Sequence, residues 1–379
     1  MKKILIIHSK YSKKGGEDIA VENEVELLKT KYDVKVVYFE NKIQNITDLL
    51  SLITLKNLKS VHKVKEALLQ FKPDVVYVHN TWFKASIGIF SLLKDYQGKV
   101  FIKLHNFRYL CSSNLLSKNH VMLKDGYCQG CGRFFNKKTP IYKFYKESII
   151  KSFFLYIYGR KYITCLKDEK FQILVLTNFH KEVFKNYISK NAYLMRNYID
   201  GGSDHGTKEK EEYILYAGRV SEEKGVRNLI TTYQEIKNPK YNLLIIGGGP
   251  EFNKFKKEFS SKNIKFISQL SNSETLKLIK KARCVVTATK LYEGQPTLLC
   301  EASLNNVPSI FPDTGGIKEF FPSNYKLAYE QFNYDELKSI FYNLDNEELE
   351  NIGFDVKNFY IENFSKDHYF EAFESLITT

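Results

Sequence analysis

The sequence predicts an α/β protein built from two doubly wound, Rossmann-like domains. Three observations predict it: short apolar runs of strand length, helical patterns between them, and a polar, glycine-rich break near the middle. Lys3–Ile7, Val34–Phe39, Val75–Val78, Val100–Leu104 and Ile173–Leu176 read as buried strands, with Glu22–Lys31 and Val64–Phe71 as helices between them. Such alternation calls for a parallel sheet with helices on both faces. The break runs through Tyr198-Ile199-Asp200-Gly201-Gly202-Ser203-Asp204-His205-Gly206, a linker composition. The strand pattern restarts at Tyr213–Ala217, Tyr241–Ile246, Ile264–Ile267, Cys284–Ala288 and Ser309–Phe311.

These runs give an N-terminal domain over 1–198, with a cysteine-containing insertion at about 106–165, and a linker over 199–212. A C-terminal domain follows over 213–350, then a helical tail over 351–379 whose Phe and Tyr residues at helical spacing need a surface, here expected on the first domain. In open α/β sheets ligands bind beyond the carboxyl ends of strands. For two such sheets facing one another, that place is an interdomain cleft.

The chain has 379 residues, enough for two cores, and its 43% hydrophobic and 26% charged residues are those of a soluble globular protein. A net charge of +14 points to anionic partners. No apolar run reaches the ~18 residues of a membrane span. Met1-Lys2-Lys3 before Ile4–Ile7 resembles the start of a signal peptide, but the apolar stretch is too short and reads as a first strand. The expected compartment is therefore the cytoplasm, with the six cysteines as thiols or metal ligands rather than a disulfide scaffold.

The second half carries the densest chemistry. Gly218 follows a strand, and Arg219 and Lys224 lie just beyond it. Arg offers a bidentate fork to phosphate oxygens and Lys a point charge. Farther on, Glu293-Gly294-Gln295-Pro296 leads into a helix expected over Thr297–Asn305, with Pro296 at its first position. The free N–H groups of Thr297 and Leu298 would face an anion, with Glu293 on the loop before them and Glu301 in the second turn. The plainer alternatives are exposed loop cations, a helix cap at Glu293 and a solvated surface charge at Glu301. Gly247-Gly248-Gly249-Pro250 and Gly315-Gly316 read as tight strand-to-helix turns before they read as phosphate cradles.

In order, the strand–Gly-Arg-x4-Lys-Gly, Ile-Gly-Gly-Gly-Pro, Glu-x7-Glu and Asp313-Thr314-Gly315-Gly316-Ile317-Lys318-Glu319 segments resemble retaining glycosyltransferase family 4, bacterial surface-polysaccharide type. The resemblance covers about residues 213–320. It implies the GT-B architecture and a nucleotide-diphosphate sugar as donor substrate, with no catalytic cofactor. Arg219 and Lys224 would bind the donor diphosphate, Glu293 the donor sugar and Glu301 the ribose. Two departures stand out. The common Glu-Gly-Phe-Gly is Glu293-Gly294-Gln295-Pro296, which alters the wall near the sugar, and Gln269 replaces the usual Gly by the nucleobase.

In the first half, Gly15-Gly16 follows the first strand and precedes a helix, so Gly16 could bring backbone amides to a phosphate or an acceptor oxygen. His105 ends the strand Val100–Leu104, where it could bond the sugar or its leaving phosphate, as the corresponding His does in the family it resembles. His79 ends another strand and reads as a weaker candidate or as a residue orienting a neighbouring loop. Retaining transfer on this architecture implies no nucleophile or metal. The expected catalytic set is thus His105, Glu293, Arg219 and Lys224.

Cys111, Cys128 and Cys131 include a C-x2-C pair, compatible with structural zinc or with free thiols, and His105, His120 and Cys165 are candidate fourth ligands. Between Arg133 and Lys161 eight Lys or Arg stand against one acid, Glu147, interleaved with Phe and Tyr. That pattern suits an anionic membrane interface or a nucleic acid, or a helix that simply packs its aromatics inward. Because lipid-linked acceptors live at the membrane, the membrane reading is preferred and no nucleic-acid partner is expected. The sequence therefore predicts a hexose-transferring enzyme, peripheral on the inner face of the plasma membrane. It would act on a lipid-linked or oligosaccharide acceptor in capsule, exopolysaccharide or lipopolysaccharide synthesis. A 2-epimerase-like enzyme and an inactive nucleotide-binding scaffold are the alternatives.

Overall fold

The computed structural model describes residues 1–11, 15–41, 51, 54–107, 109–110, 149–200 and 209–378. The chain divides into two compact units, Met1–Tyr198 with Lys366–Thr379, and Ile199–Ser365.

Unit 1 alternates β1 (Lys3–Lys10), α1 (Gly16–Lys29), β2 (Asp33–Glu40), α2 (Leu58–Phe71), β3 (Val75–Val78), α3 (Gly88–Lys94), β4 (Lys99–Leu104), α4 (Ile149–Leu166), β5 (Phe171–Val175), α5 (Asn178–Ile188) and β6 (Tyr193–Leu194). The strands form one six-stranded sheet in the order β2-β1-β3-β4-β5-β6. Every pairing is parallel. Ile4 to Ile7 are fully buried, as a strand covered on both faces requires. The first helix starts at Gly16 and ends at Lys29 rather than spanning 22–31, because Asp18 closes a cap on the backbone N–H of Gly15 that the apolar pattern does not register.

Unit 2 runs β7 (Tyr213–Ala217), α6 (Val226–Gln234), β8 (Asn242–Ile246), α7 (Phe252–Phe259), β9 (Ile264–Ile267), α8 (Asn272–Lys281), β10 (Cys284–Val286), α9 (Thr297–Leu304), β11 (Ser309–Asp313), β12 (Ala328–Glu330), α10 (Tyr334–Tyr342) and α11 (Asn346–Phe364). Its six-stranded sheet has the order β12-β11-β10-β7-β8-β9 and is again parallel. Both sheets are therefore of the doubly wound α/β class expected from the alternation. Three residues make up β12, too short to show a period in sequence.

The last helix, α12 (Lys366–Thr378), belongs to unit 1. Tyr369, Phe370, Phe373, Leu376 and Ile377 are buried with Ile4, Val25, Tyr32 and Tyr77. Burying each such side chain stabilises by roughly 1.5–3 kcal/mol. Lys2 and Lys99 donate their ammonium groups to the Ile377 and Leu376 carbonyls at 3.0 and 3.3 Å, so two cations satisfy the helix's last carbonyls.

Candidate functional site

In a doubly wound sheet the loops diverge where the strand order reverses, and ligands bind there. In unit 2 that point lies between β7 and β10. The loop after β7 carries Arg219 and Lys224, and the loop after β10 carries Thr289 and Glu293. Lys224 Nζ lies 2.5 Å from Glu293 Oε1, and the Thr289 hydroxyl donates to the same oxygen at 2.8 Å. The backbone N–H of Lys290 donates to the Glu223 carbonyl at 3.0 Å, which ties the two loops together.

Two glycines make this approach possible. Gly225 has φ +68°, and a Cβ there would stand 1.8 Å from the Ala288 carbonyl oxygen. Gly315 has φ +61°, and its Cβ would stand 2.3 Å from the Glu293 carbonyl oxygen, which also accepts the Gly316 N–H at 2.9 Å. Only glycine takes such positions without strain. The Gly315-Gly316 pair thus holds the backbone of Glu293 in place.

The side chain of Arg219 is 65% exposed, with Glu223 Oε1 4.0 Å from its Nε. Lys224 and Glu293 are 30% and 27% exposed, so their pair is half-buried. Both cations therefore have a carboxylate beside them, and an incoming anion must compete for them.

Helix α9 begins at Thr297 and ends at Leu304, one residue short of the expected Asn305. Pro296 occupies the N-cap, with φ −83° and ψ +86°, not the first helical position. Its carbonyl accepts the Cys300 N–H at 3.0 Å, so the turn starts one residue later than proline preference suggests. Thr297 and Leu298 supply the first N–H groups of the helix, which have no carbonyl partner within it. Glu301 is only 4% exposed, and burial pushes its pKa up to about 7, opposed by an Asn272 amide 3.4 Å from Oε1. That excludes the solvated-surface alternative. Gln295 is also buried, with Nε2 3.5 Å from the Tyr360 hydroxyl of α11.

Gly247–Gly249 serve as a tight turn packed on the loop after β7: the Val220 N–H donates to the Gly248 carbonyl at 2.9 Å. Gln269 is exposed, with its amide oxygen beside Gly248. A larger groove among Tyr325, Lys326, Asp345, Glu348 and Ile352 is built from other loops and contains none of the switch-point residues.

In unit 1 the order reverses between β1 and β3. Gly16 is the first, exposed residue of α1. Asp18 accepts the N–H groups of Gly15 and Tyr11 at 3.0 and 3.3 Å, and His8 Nε2 lies 2.8 Å from it. Glu17 accepts from the Tyr11 hydroxyl at 2.8 Å and from the Asn106 amide at 3.1 Å. His105 Nε2 is 2.9 Å from His79 Nδ1. Burial holds both imidazoles well below the usual histidine range. Glu17, His79, Trp82, His105, Asn106 and Tyr109 line one recess.

Unit 2 thus brings Lys224 and Glu293 into contact and sets Thr297, Leu298 and Glu301 on the adjoining helix, while Arg219 extends outward. Sequence reasoning missed Thr289, Asp18 and Glu17, and gave His79 no link to His105. Isolated threonines and carboxylates carry no period, so no sequence signal marked them. Cys111, Cys128, Cys131 and His120 lie outside the described residues, as does the stretch Arg133–Glu147. Burial raises the Cys165 thiol to about 11. In the rest of the basic aromatic segment, Tyr158 packs on Trp82 with ring centroids 4.3 Å apart, while Phe153 is exposed. Among the described residues no helix is long and apolar enough to cross a membrane, and no group of His, Cys, Asp and Glu is placed to hold a metal ion.

Comparison with known proteins finds similarity in the segment bearing the unit 2 site. Residues 203–351 match the family model of glycosyl transferases group 1. The matched segment contains Arg219, Lys224, Glu293, Thr297, Leu298 and Glu301, and leaves Gly16 and His105 outside it. An uncharacterized glycosyltransferase of Methanocaldococcus jannaschii is 24% identical over 289 residues, 74% of this chain and 64% of that protein. The amylovoran biosynthesis glycosyltransferase AmsD of Erwinia amylovora is 24% identical over 173 residues, 42% of this chain and 48% of that one. The chain thus spans less than two thirds of the length of either relative. Anabaena HepE, solved in complex with UDP-glucose, superposes with a TM-score of 0.70 at 13% identity over 100% of both chains. The fold is that of GT-B glycosyltransferases.

Proposed function

We propose that this protein is a retaining family 4 hexosyltransferase. It moves a sugar from a nucleotide-diphosphate sugar to a lipid-linked or growing glycan in bacterial capsule, exopolysaccharide or lipopolysaccharide synthesis. The observation that carries this reading is the Lys224–Glu293 contact at the switch point, beside the amino end of α9. A cation, a hydroxyl-binding carboxylate and free backbone N–H groups are what a sugar diphosphate requires. The UDP and UDP-glucose complexes of HepE favour a nucleoside diphosphate as the carrier.

Unit 2 holds the donor and unit 1 the acceptor. Arg219, Lys224 and the Thr297 and Leu298 amides neutralise the leaving diphosphate, a hydrogen bond to a charged group contributing roughly 1.5–3 kcal/mol. Glu293 accepts from sugar hydroxyls and Glu301 from the ribose. In unit 1, His105 and Gly16 are the residues assigned a role in the transfer. The acceptor hydroxyl attacks the anomeric carbon on the face from which the phosphate departs. The carbon–acceptor oxygen bond forms, the carbon–phosphate oxygen bond breaks, and the hydroxyl proton passes to the departing phosphate oxygen. No metal takes part in these steps. The basic aromatic segment docks reversibly on the inner face of the plasma membrane, each cation there contributing about 1 kcal/mol.

A thermal-shift panel of nucleotide sugars tests the donor reading. A donor at 100 times its dissociation constant stabilises the fold by about 2.7 kcal/mol. NMR of the anomeric proton of the product then reads retention directly. A panel with no shift would remove the donor assignment, and an inverted product would remove the front-face step. Failure to pellet with anionic liposomes at low salt would remove the membrane partner.

A further inference from the structure

A chain of buried polar groups reaches His105 within unit 1. His105 Nε2 lies 2.9 Å from His79 Nδ1, and the two rings stack with centroids 5.2 Å apart at 29°. Glu24, on α1, places Oε2 3.8 Å from the same His79 nitrogen. The other Glu24 oxygen contacts the Lys103 ammonium, which also donates to the Arg196 carbonyl at 3.3 Å. Glu24, Lys103 and His79 are all buried, and the donor reading uses none of them.

The protons in this chain can be placed. Burial depresses both His79 and His105, and the nearby Lys103 ammonium adds to it, so both rings are neutral near pH 7. Burial also pushes the Glu24 carboxyl up, and Lys103 opposes that push. The ion pair is the arrangement that leaves neither buried charge without a partner. The remaining ring beside His79 is Tyr77, 4.3 Å away between centroids, with His8 edge-on at 6.2 Å.

A neutral imidazole has one N–H and one bare nitrogen. The 2.9 Å contact needs one proton between His79 Nδ1 and His105 Nε2. If His105 supplied it, His79 would turn a bare lone pair toward the Glu24 carboxylate, which the Tyr369 hydroxyl also faces. If His79 supplies it, the same N–H faces both the His105 lone pair and the carboxylate. In a dry interior that difference is large, because little water screens it. His105 is then protonated on Nδ1, a buried atom with no partner among the described residues.

We infer that Glu24 and His79 are positioning residues that fix His105 as the neutral imidazole that carries its proton on Nδ1. The tautomer stands on its own; its consequence for transfer rests on the proposed function. His105 then acts neither as a base nor as a cation, which suits a reaction whose proton goes to the leaving phosphate.

The test is imidazole nitrogen NMR on the full chain, labelled with ¹⁵N-histidine and free of ligand. The His105 signals are assigned by their loss in His105→Gln. The expected spectrum has a pyrrole-type Nδ1 and a pyridine-type Nε2; the reverse pattern overturns the inference. Replacing Glu24→Met and Lys103→Met together leaves no lone buried charge, so the fold is retained. His105 is then expected to show a mixture of tautomers, with kcat about tenfold lower and the donor KM within about twofold of the parent. An unchanged tautomer in that double variant overturns the role of Glu24. In His79→Phe the Nδ1 preference is expected to vanish as well, and its persistence overturns the role of His79. A chain that shows the Nδ1–H form yet transfers no sugar keeps this inference and removes the functional reading instead.

Discussion

Lys224 and Glu293, 69 residues apart in sequence, meet at 2.5 Å where the strand order of the second sheet reverses. The lysine's charge is therefore committed before any ligand arrives. Under the proposed function, a sugar diphosphate would draw the ammonium away while its hydroxyls engaged the carboxylate. Glu293→Gln separates the two effects. It frees Lys224, so a nucleoside diphosphate without sugar is expected to bind a few-fold more tightly by calorimetry. It weakens the hydroxyl contact, so kcat/KM for transfer is expected to fall roughly 10- to 100-fold, the worth of one hydrogen bond to a charged group. Tighter sugar binding with normal turnover would remove Glu293 from the site.

Lys224→Met removes the cation and keeps the length of the side chain. If Lys224 neutralises the departing diphosphate, kcat is expected to fall by about 10²–10³, as when one donor to a developing oxyanion is lost. The pair is half-exposed, so the effect on stability is expected to stay within about 1 kcal/mol. Steady-state kinetics and a denaturant melt of the same preparation separate the two. A loss of stability that matched the loss of rate would make the pair structural.

The fold was legible in sequence because buried parallel strands are continuous apolar runs, and Ile4–Ile7, Val75–Val78 and Leu243–Ile246 are such runs. The charged residues near the switch point were legible from spacing around Gly218 and Pro296. The geometry between them was not, since Lys224 and Glu293 meet through loop closure and Thr289 has no period to betray it. Gln295 shows the limit from the other side. In sequence it stands in the wall near the sugar, but the structure buries it with its amide turned toward Tyr360, a contact set by α11 packing rather than by local pattern. The start of α1 was missed for a similar reason: the Asp18 cap at Gly15 is a hydrogen bond, not an apolar repeat.

Two glycines separate a required conformation from an unrequired one. Gly225→Ala meets a left-handed φ of +68° and an Ala288 oxygen 1.8 Å from the new Cβ. Backbone shift there moves Lys224, so the variant is expected to lose roughly 1–3 kcal/mol of stability or more, with a matching loss of donor binding. Gly15→Ala has an extended φ of −124° and nothing within 4 Å of its Cβ, so its stability is expected to be unchanged. Urea denaturation of both variants checks the contrast, and equal effects would show that the close approach to Ala288 does not matter.

Glu301 gives the protein a pH signature of its own. Burial raises its pKa from 4.5 to about 7 in the folded chain. The folded state then binds more protons than the unfolded state between these values. Its contribution is fully present below the unfolded pKa and is lost as pH rises through the folded one, with a slope of about 1.4 kcal/mol per pH unit in between. Glu301→Gln removes that slope and is expected to gain stability relative to the parent as pH rises from 5 to 8. Chemical denaturation across this range reads the difference, and parallel curves for parent and variant would mean that Glu301 is not titrating.

Phe373 tests whether the last helix is part of the first unit's core or an accessory to it. Its ring is buried, 5.8 Å from Tyr32, 5.7 Å from Tyr77 and 6.2 Å from Tyr369 between centroids. Phe373→Ala leaves a cavity under β1 and β3 and is expected to cost about 3–5 kcal/mol. The loss should fall on unit 1, because every one of these partners belongs to it. Hydrogen exchange mass spectrometry is expected to show faster exchange in β1, β3 and α1 and unchanged protection in β7–β10. The surface alternative has a distinct outcome: Phe373→Ala would cost less than about 0.5 kcal/mol and leave every strand protected. Uniform loss of protection through both sheets would instead mean that the two units unfold as one, and that α12 stabilises the whole chain rather than its first sheet.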